Sequence, residues 1–161
     1  MRVNLIYGPS SQPKTGYLNI HPFAEQEDEN TKMCDVRNLD LHICDAEVTD
    51  LIAIDVVDYI PLPEITNVID HWVSKLRLGG KITIGAVDAY SVAKAFAEYQ
   101  IDLDTFNQLI LGSQTSHGDH KSNVLTMASL ENYLSNKHNL NVIHKRYDGF
   151  AYIIIAERTA S

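Results

Sequence analysis

Cysteine is scarce in this sequence: 2 residues, Cys34 and Cys44, neither in a CxxC pair nor at a metal-site spacing. Two reduced, partly buried thiols are expected, and with them a cytosolic setting. Long apolar runs are lacking too, and none approaches the ~18 residues that a membrane span needs. Met1 leads directly into Val3-Asn4-Leu5-Ile6, with no charged region, apolar stretch or cleavage site of a secretory signal before it. Cations are outnumbered, with 13 Lys and Arg against 21 Asp and Glu, a formal net charge of −8. They form no run or stripe. Binders of nucleic acid or of anionic membrane need a cationic field, so neither partner is expected. A small molecule or a protein is. The densest charge, residues 25–29, reads as a solvated acidic loop.

What is present is enough chain, 161 residues, for one domain with a sizeable core. No repeat, low-complexity tract or linker divides it, so 1–161 reads as a single domain. Residues 2–7 are a short apolar strand bounded by Gly8, and Tyr17–Ile20 a second, stopped by Pro22. Residues 24–32 are polar loop, and 33–36 a third short strand. The run 51–57 is apolar on both faces, as in a strand buried within a parallel sheet. Pro63 and Glu64 suit a helix start, and Ile65, Val68, Ile69, Trp72, Val73 and Leu76 form one stripe. Gly79-Gly80 are expected to stop that helix after Arg77, before a strand over 81–87. Residues 91–98 and 102–111 look helical, and Thr126 is placed to cap a helix over Met127, Leu130 and Leu134. The Asp148-Gly149 turn joins two β-rich runs into a closing hairpin. Strands alternating with helices, then a hairpin, predict an α/β sheet, mostly parallel with an antiparallel edge.

One stretch imitates a phosphate site. Gly8-Pro9-Ser10-Ser11-Gln12-Pro13-Lys14-Thr15 is one residue away from G-x-x-x-x-G-K-[ST]. Pro13 stands where the second glycine would supply a free backbone N–H, and Gly16-Tyr17-Leu18-Asn19-Ile20 returns to strand where a helix N-terminus would face the phosphate. Both changes remove the mechanism. The stretch is a strand-to-strand connector.

Taken in order, the landmarks resemble small class I S-adenosylmethionine-dependent methyltransferases. A first strand Val3-Asn4-Leu5-Ile6-Tyr7-Gly8 is followed by Gly16-Tyr17-Leu18-Asn19-Ile20-His21, then Asp35-Val36-Arg37-Asn38-Leu39, then Val56-Val57-Asp58-Tyr59. Leu76-Arg77-Leu78-Gly79-Gly80 and Val87-Asp88 come next, and Gly112-Ser113-Gln114 with His117 and His120-Lys121-Ser122 last. The resemblance spans essentially the whole chain, and Val56 to Asp88 is its part most specific for fold. It implies a Rossmann-like sheet and S-adenosylmethionine as cofactor, with methyl transfer to a small molecule or sugar. Tyr7, Gly8 and Pro9 then form the cofactor loop, His21 lies at the ribose, Asp35 and Val36 at the adenine, and Asp55 and Val56 at the end of the central strand. Asp58 becomes the candidate base, with His117 or His120 as an alternative in a loop closing over the acceptor.

The chain also departs from that family's pattern. Ile6 and Tyr7 occupy positions where small residues let the backbone approach the cofactor. His21 replaces the acid that accepts from two ribose hydroxyls, and Asp58-Tyr59 replaces Glu-His. These departures motivate a second expectation, a non-catalytic relative that binds another ligand or a protein. A third is a metal-dependent hydrolase on His117, Asp119 and His120, although no further ligand stands out elsewhere. A sheet this small also leaves edges or faces free to pair with a second copy.

Overall fold

In the computed structural model, which describes residues 1–116 and 118–159, the strands are β1 (Arg2–Leu5), β2 (Leu18–Ile20), β3 (Thr31–Lys32), β4 (Val48–Ile54), β5 (Leu76–Val87), β6 (Asn141–Asp148) and β7 (Ala151–Glu157). The helices are α1 (Ile65–Lys75), α2 (Ala89–Ala97), α3 (Leu103–Leu111) and α4 (Met127–His138). All the strands join one sheet in the order β3-β2-β1-β4-β5-β7-β6. β3, β2, β1, β4 and β5 run parallel, and β7 is antiparallel to both β5 and β6.

The strand order explains which face is covered. Right-handed crossovers running outward from β1 to β2 and β3 lie on one face of the sheet, and the β4-to-β5 crossover lies on the other. α1 supplies that second crossover, burying Ile65, Val68, Ile69, Trp72 and Val73. Trp72 is wholly enclosed and its indole N–H donates to the Val36 carbonyl at 2.8 Å. α4 adds Met127, Leu130 and Leu134 after a capping box between Thr126 and Ser129. Against these helices the strands turn Val3, Leu5, Leu51, Ala53, Ile82, Ile84, Tyr152, Ile154 and Ala156, every one fully buried. The connections β1 to β2 and β2 to β3 contain no helix, so the opposite face, with Ile52, Ile54, Thr83, Ile153 and Ile155, stays partly exposed.

Several expectations shift. α1 ends at Lys75, and β5 starts at Leu76 and runs through Gly79 and Gly80, so these glycines do not stop the helix. Gly79 has φ +74°, and a Cβ on Gly80 would lie 2.6 Å from the Val48 carbonyl oxygen. The pair serves an irregularity in the β4–β5 register, between Val48 and Asp50. The third strand is Thr31–Lys32, inside the expected loop, and residues 33–36 are not a strand. There the Asp35 carboxylate accepts from the Arg37 N–H at 2.9 Å, a local turn that competes with strand pairing. The central strand is Val48–Ile54 instead of 51–57, because Asp55 takes φ +59° and ends it. The hairpin forms as expected around Gly149, at φ +61°. Among the described residues no helix is long and apolar enough to cross a membrane, and both cysteines are free thiols.

Candidate functional site

Ligands in an open α/β sheet collect at the carboxyl ends of the parallel strands, beside the point where the strand order reverses. Here that point lies between β1 and β4. Asp55 leaves β4 in a left-handed conformation and takes hold of the loop after β1. Its N–H donates to the Gly85 carbonyl at 2.9 Å, and its own carbonyl accepts from the Gly8 N–H at 3.0 Å. Its carboxylate accepts from the Ser10 N–H at 2.9 Å. The Ser11 N–H turns back to the Gly8 carbonyl at 3.0 Å, and the Ser11 hydroxyl donates to the Ile54 carbonyl. Pro9 has no N–H to offer. The backbone donors of residues 8–11 are therefore spent within the protein.

Tyr59 stands at the centre of what remains. Its ring stacks on Tyr7, centroids 4.9 Å apart and planes at 22°, and Phe23 meets Tyr7 edge-on at 5.2 Å. The Tyr59 hydroxyl donates to the Asp119 carboxylate at 3.0 Å. The other Asp119 oxygen accepts from the Ser113 N–H at 2.8 Å and from the Ser113 hydroxyl. Burial pulls the Asp119 carboxyl upward, but the bonds from Ser113 and Tyr59 outweigh it and hold the group below the ordinary range. Burial, then the charge of Asp55, pushes the Tyr59 phenol up, so it remains a neutral donor. A Cβ on Gly112 would lie 2.5 Å from the Asp119 carbonyl oxygen, and one on Gly118 2.7 Å from the Phe23 ring. The loop after α3 is thus folded tightly onto the aromatic cluster.

The Tyr59 ring separates two grooves. One, of about 450 Å³, is lined by Pro9, Ser10, Asp55, Gln108, Lys121 and Tyr152 among others. The second, of about 510 Å³, is lined by Tyr7, Phe23, Asp35, Val36, Arg37 and His120 among others. The sequence-derived candidates therefore divide. Tyr7, Asp35, Val36 and His120 reach the second groove, and Pro9 and Asp55 the first. Gly8 lies between Asp55 and Tyr59 and lines neither groove, and Val56 is core. His21 is half-buried beside the second groove, which Pro22 and Phe23 line in its place. Its Nδ1 accepts from the Phe23 N–H at 3.2 Å, and burial lowers its basicity. Asp58 is wholly buried and lines neither groove. Burial pushes its carboxyl up to about 6 even though Lys121 lies 3.4 Å away. His117 lies outside the described residues. No group of three or more His, Cys, Asp or Glu among those described is placed to hold a metal ion. Phe23 has no signal in the sequence, and Ser113 and Lys121 enter there only as landmarks of the resemblance without a role, since their meeting with Tyr59 and Asp58 depends on two loops, one after β2 and one after α3, that are distant in the chain.

No family model and no curated protein sequence matches the chain. Solved structures do match by fold. A S-adenosylmethionine-dependent methyltransferase from Methanosarcina mazei aligns with TM-score 0.59 at 13% identity, over 96% of this chain and 74% of that one. The 1,6-didemethyltoxoflavin-N1-methyltransferase of Burkholderia thailandensis, solved with its substrate and S-adenosylhomocysteine, aligns with TM-score 0.55 at 14% identity, over 90% of this chain and 63% of its own. An O-methyltransferase family protein from Burkholderia thailandensis aligns with TM-score 0.54 at 15% identity, over 81% of this chain and 36% of that one. The chain thus spans between about a third and three quarters of these neighbours. It has the class I methyltransferase fold, a Rossmann-like α/β sheet.

The residues present fit S-adenosylmethionine at one end only. Asp35 and Val36 open onto the second groove where an adenine would lie, with the Asp35 carboxylate paired to Arg37 at 2.7 Å and held below its ordinary range by that contact. At the ribose position His21 offers no pair of acceptors. At the methionine position a Cβ on Gly8 would already lie 2.3 Å from the Asp55 carboxylate and 2.5 Å from the Tyr59 ring. Protein fills the space on that side of Gly8, and the open volume at this end is the first groove, beside Pro9, Ser10 and Asp55.

Proposed function

We propose that this chain is a methyltransferase-fold binding module that does not transfer methyl groups, and that its ligand is a flat, nucleoside-like molecule or a protein side chain held in the Asp35 groove. The observation that carries this reading is the Tyr7–Tyr59 stack: the Tyr59 ring stands between the Asp35 groove and the groove beside Pro9, Ser10 and Asp55, so one continuous cofactor site does not run from an adenine at Asp35 to a methionine chain beside the first loop. The groove itself supports a planar ligand. Tyr7 and Phe23 offer aromatic surface, Asp35 an acceptor, and Arg37 and His120 donors. A second reading, S-adenosylmethionine-dependent methylation of a small molecule or sugar, is favoured by Asp35, Val36 and His120 sharing one groove at the fold's cofactor end. Calorimetric titration separates the two. The expected result is no heat from S-adenosylmethionine or its demethylated product up to about millimolar, where even weak small-molecule sites saturate. Micromolar binding of either overturns the first reading. If Tyr7→Gly then gains affinity for the demethylated product, the stack is what excludes it.

A further inference from the structure

One wall of the Asp35 groove is a segment with no helix or strand of its own. Residues 33–47 cross from β3 to β4 as a series of turns, and Asp35, Val36 and Arg37 face the groove from it. Val36, Leu39 and Ile43 sink into the core, and side chains along α1 fix the backbone between them. The Trp72 indole N–H donates to the Val36 carbonyl at 2.8 Å, and the Lys75 ammonium donates to Asp40 at 2.5 Å and to Asp45 at 2.6 Å. At the start of the helix, Glu64 accepts from the Arg37 guanidinium at 2.9 Å. The remaining bond comes from the segment's backbone: the Leu39 N–H donates to His71 Nε2 at 2.9 Å. Among these, the His71 bond alone depends on a group that titrates near neutrality. Leu39 is fully buried, so its N–H needs an acceptor inside the protein. A ring nitrogen accepts only while it is bare, so the imidazole is neutral with its proton on Nδ1. Protonated, it would turn an N–H toward the Leu39 N–H, donor against donor.

We infer that His71 is a positioning residue for the Asp35 groove: its neutral ring fixes the turn at residues 35–39, and acid releases that turn. The connection to the groove wall is short. The Asn38 N–H donates to the Asp35 carbonyl at 3.1 Å, and the His42 and Ile43 N–H groups donate to the Leu39 carbonyl at 3.0 and 2.9 Å. A displaced Leu39 peptide therefore carries the turn on both of its sides. Several charges face the ring. Burial and then Lys75, on the same helix, disfavour its protonation, whereas Asp40 and Asp45 from the segment favour it, and the balance lies below the ordinary 6.5 of imidazole. Arg37 and Glu64 line the same depression as His71 and pair with each other at 2.9 Å. Because the folded chain favours the neutral ring, the bond is fully formed above about pH 6.5 and is lost as pH falls below it. The consequence for binding rests on the Asp35 groove being the ligand site, whereas the movement of its wall does not.

The chain's single tryptophan reports on this turn, since Trp72 bonds it through Val36. In the full chain without ligand, Trp72 fluorescence and the Leu39 amide signal in NMR spectra are expected to change together between about pH 7.5 and about pH 4.5, with a midpoint below 6.5. Two variants separate the acceptor from the proton. His71→Gln offers a carbonyl oxygen in place of Nε2 and does not titrate, so both signals are expected to keep their neutral-pH values throughout. His71→Leu removes the acceptor, so both are expected to hold their acid values throughout. Near pH 5 the Leu39 amide is expected to exchange roughly tenfold faster in the wild-type chain than in His71→Gln, as suits the loss of one hydrogen bond. Circular dichroism checks that each variant is folded, and if His71→Leu is not, the wild-type chain and His71→Gln decide alone. A wild-type chain without the transition overturns the inference. So does a transition that persists in His71→Gln, which belongs to another group such as Asp58, or a folded His71→Leu that keeps the neutral-pH signals. No ligand is added, so failure of the binding reading leaves this test intact.

Discussion

The two faces of this sheet are made of the same kinds of residue and have opposite fates. Ile154 and Ile155 are neighbours on β7. Ile154 turns into a core shared with α1 and α4, and Ile155 turns toward the opposite, partly exposed face. Nothing intrinsic separates them. The difference lies in the connections, since β4 reaches β5 through a helix whereas β1 reaches β2, and β2 reaches β3, through helix-free loops. Burial here is decided by what the crossover contains, which a strand's own sequence does not record.

Substitutions on the two faces sharpen that contrast. Ile154→Ala should cost about 2–5 kcal/mol, since a fully buried methyl cluster loses both transfer free energy and packing. Ile155→Ala should cost under about 1 kcal/mol, in line with its partial exposure. Urea unfolding of both variants measures the ratio, and equal costs would mean the two faces are equally enclosed. The next effect comes from Asp58, a carboxyl buried at the rim of the covered face. One of its oxygens, like the nearby Tyr152 hydroxyl, has no hydrogen-bond partner among the described residues. Its proton is held to about pH 6 in the folded chain and released near the ordinary 3.8 when unfolded. Between these values the unfolded chain binds fewer protons, so stability falls as pH rises and is level above pH 6. At 1.36 kcal/mol per pH unit this amounts to about 3 kcal/mol. Asp58→Asn should flatten the decline, as unfolding at pH 4.5 and pH 7 would show, and an unchanged slope would place the titrating group elsewhere. The smallest effect concerns α4, which covers β6 and β7. Thr126→Ala removes the side chain that accepts the Ser129 N–H at 3.1 Å and should lower the melting temperature through a loss of about 1 kcal/mol.

Most of the fold was legible because its signals are local. The apolar stripe from Ile65 to Val73, the Thr126 cap and the Asp148-Gly149 hairpin each act within a dozen residues, and each formed where its sequence places it. The glycine pair at 79–80 misled because a helix stop and a strand irregularity both call for glycine. The choice fell to the Val48 carbonyl, remote in the chain and brought to Gly80 only once β4 and β5 pair. The site was less legible. Sequence placed Asp35, Val36, Tyr7 and His120 without showing that they share a groove, and offered Asp58 as a base, although its carboxylate lies inside the protein.

The sequence by itself determined the order of elements, the anionic surface and the fate of residues 8–16. Pro13 and the return to strand at Gly16 exclude a phosphate loop by covalent geometry alone, and the structure has no helix there. Tertiary structure decided what that loop does instead. Gly8, Ser10 and Ser11 give their backbone donors to Asp55 and to one another, and Tyr7 finds its stacking partner in Tyr59, beyond the end of β4. The physical reason is the range of the interactions. Dihedral restrictions and periodicity act between neighbours in the chain, whereas hydrogen bonds and ring stacking act between neighbours in space, and the sheet alone chooses those.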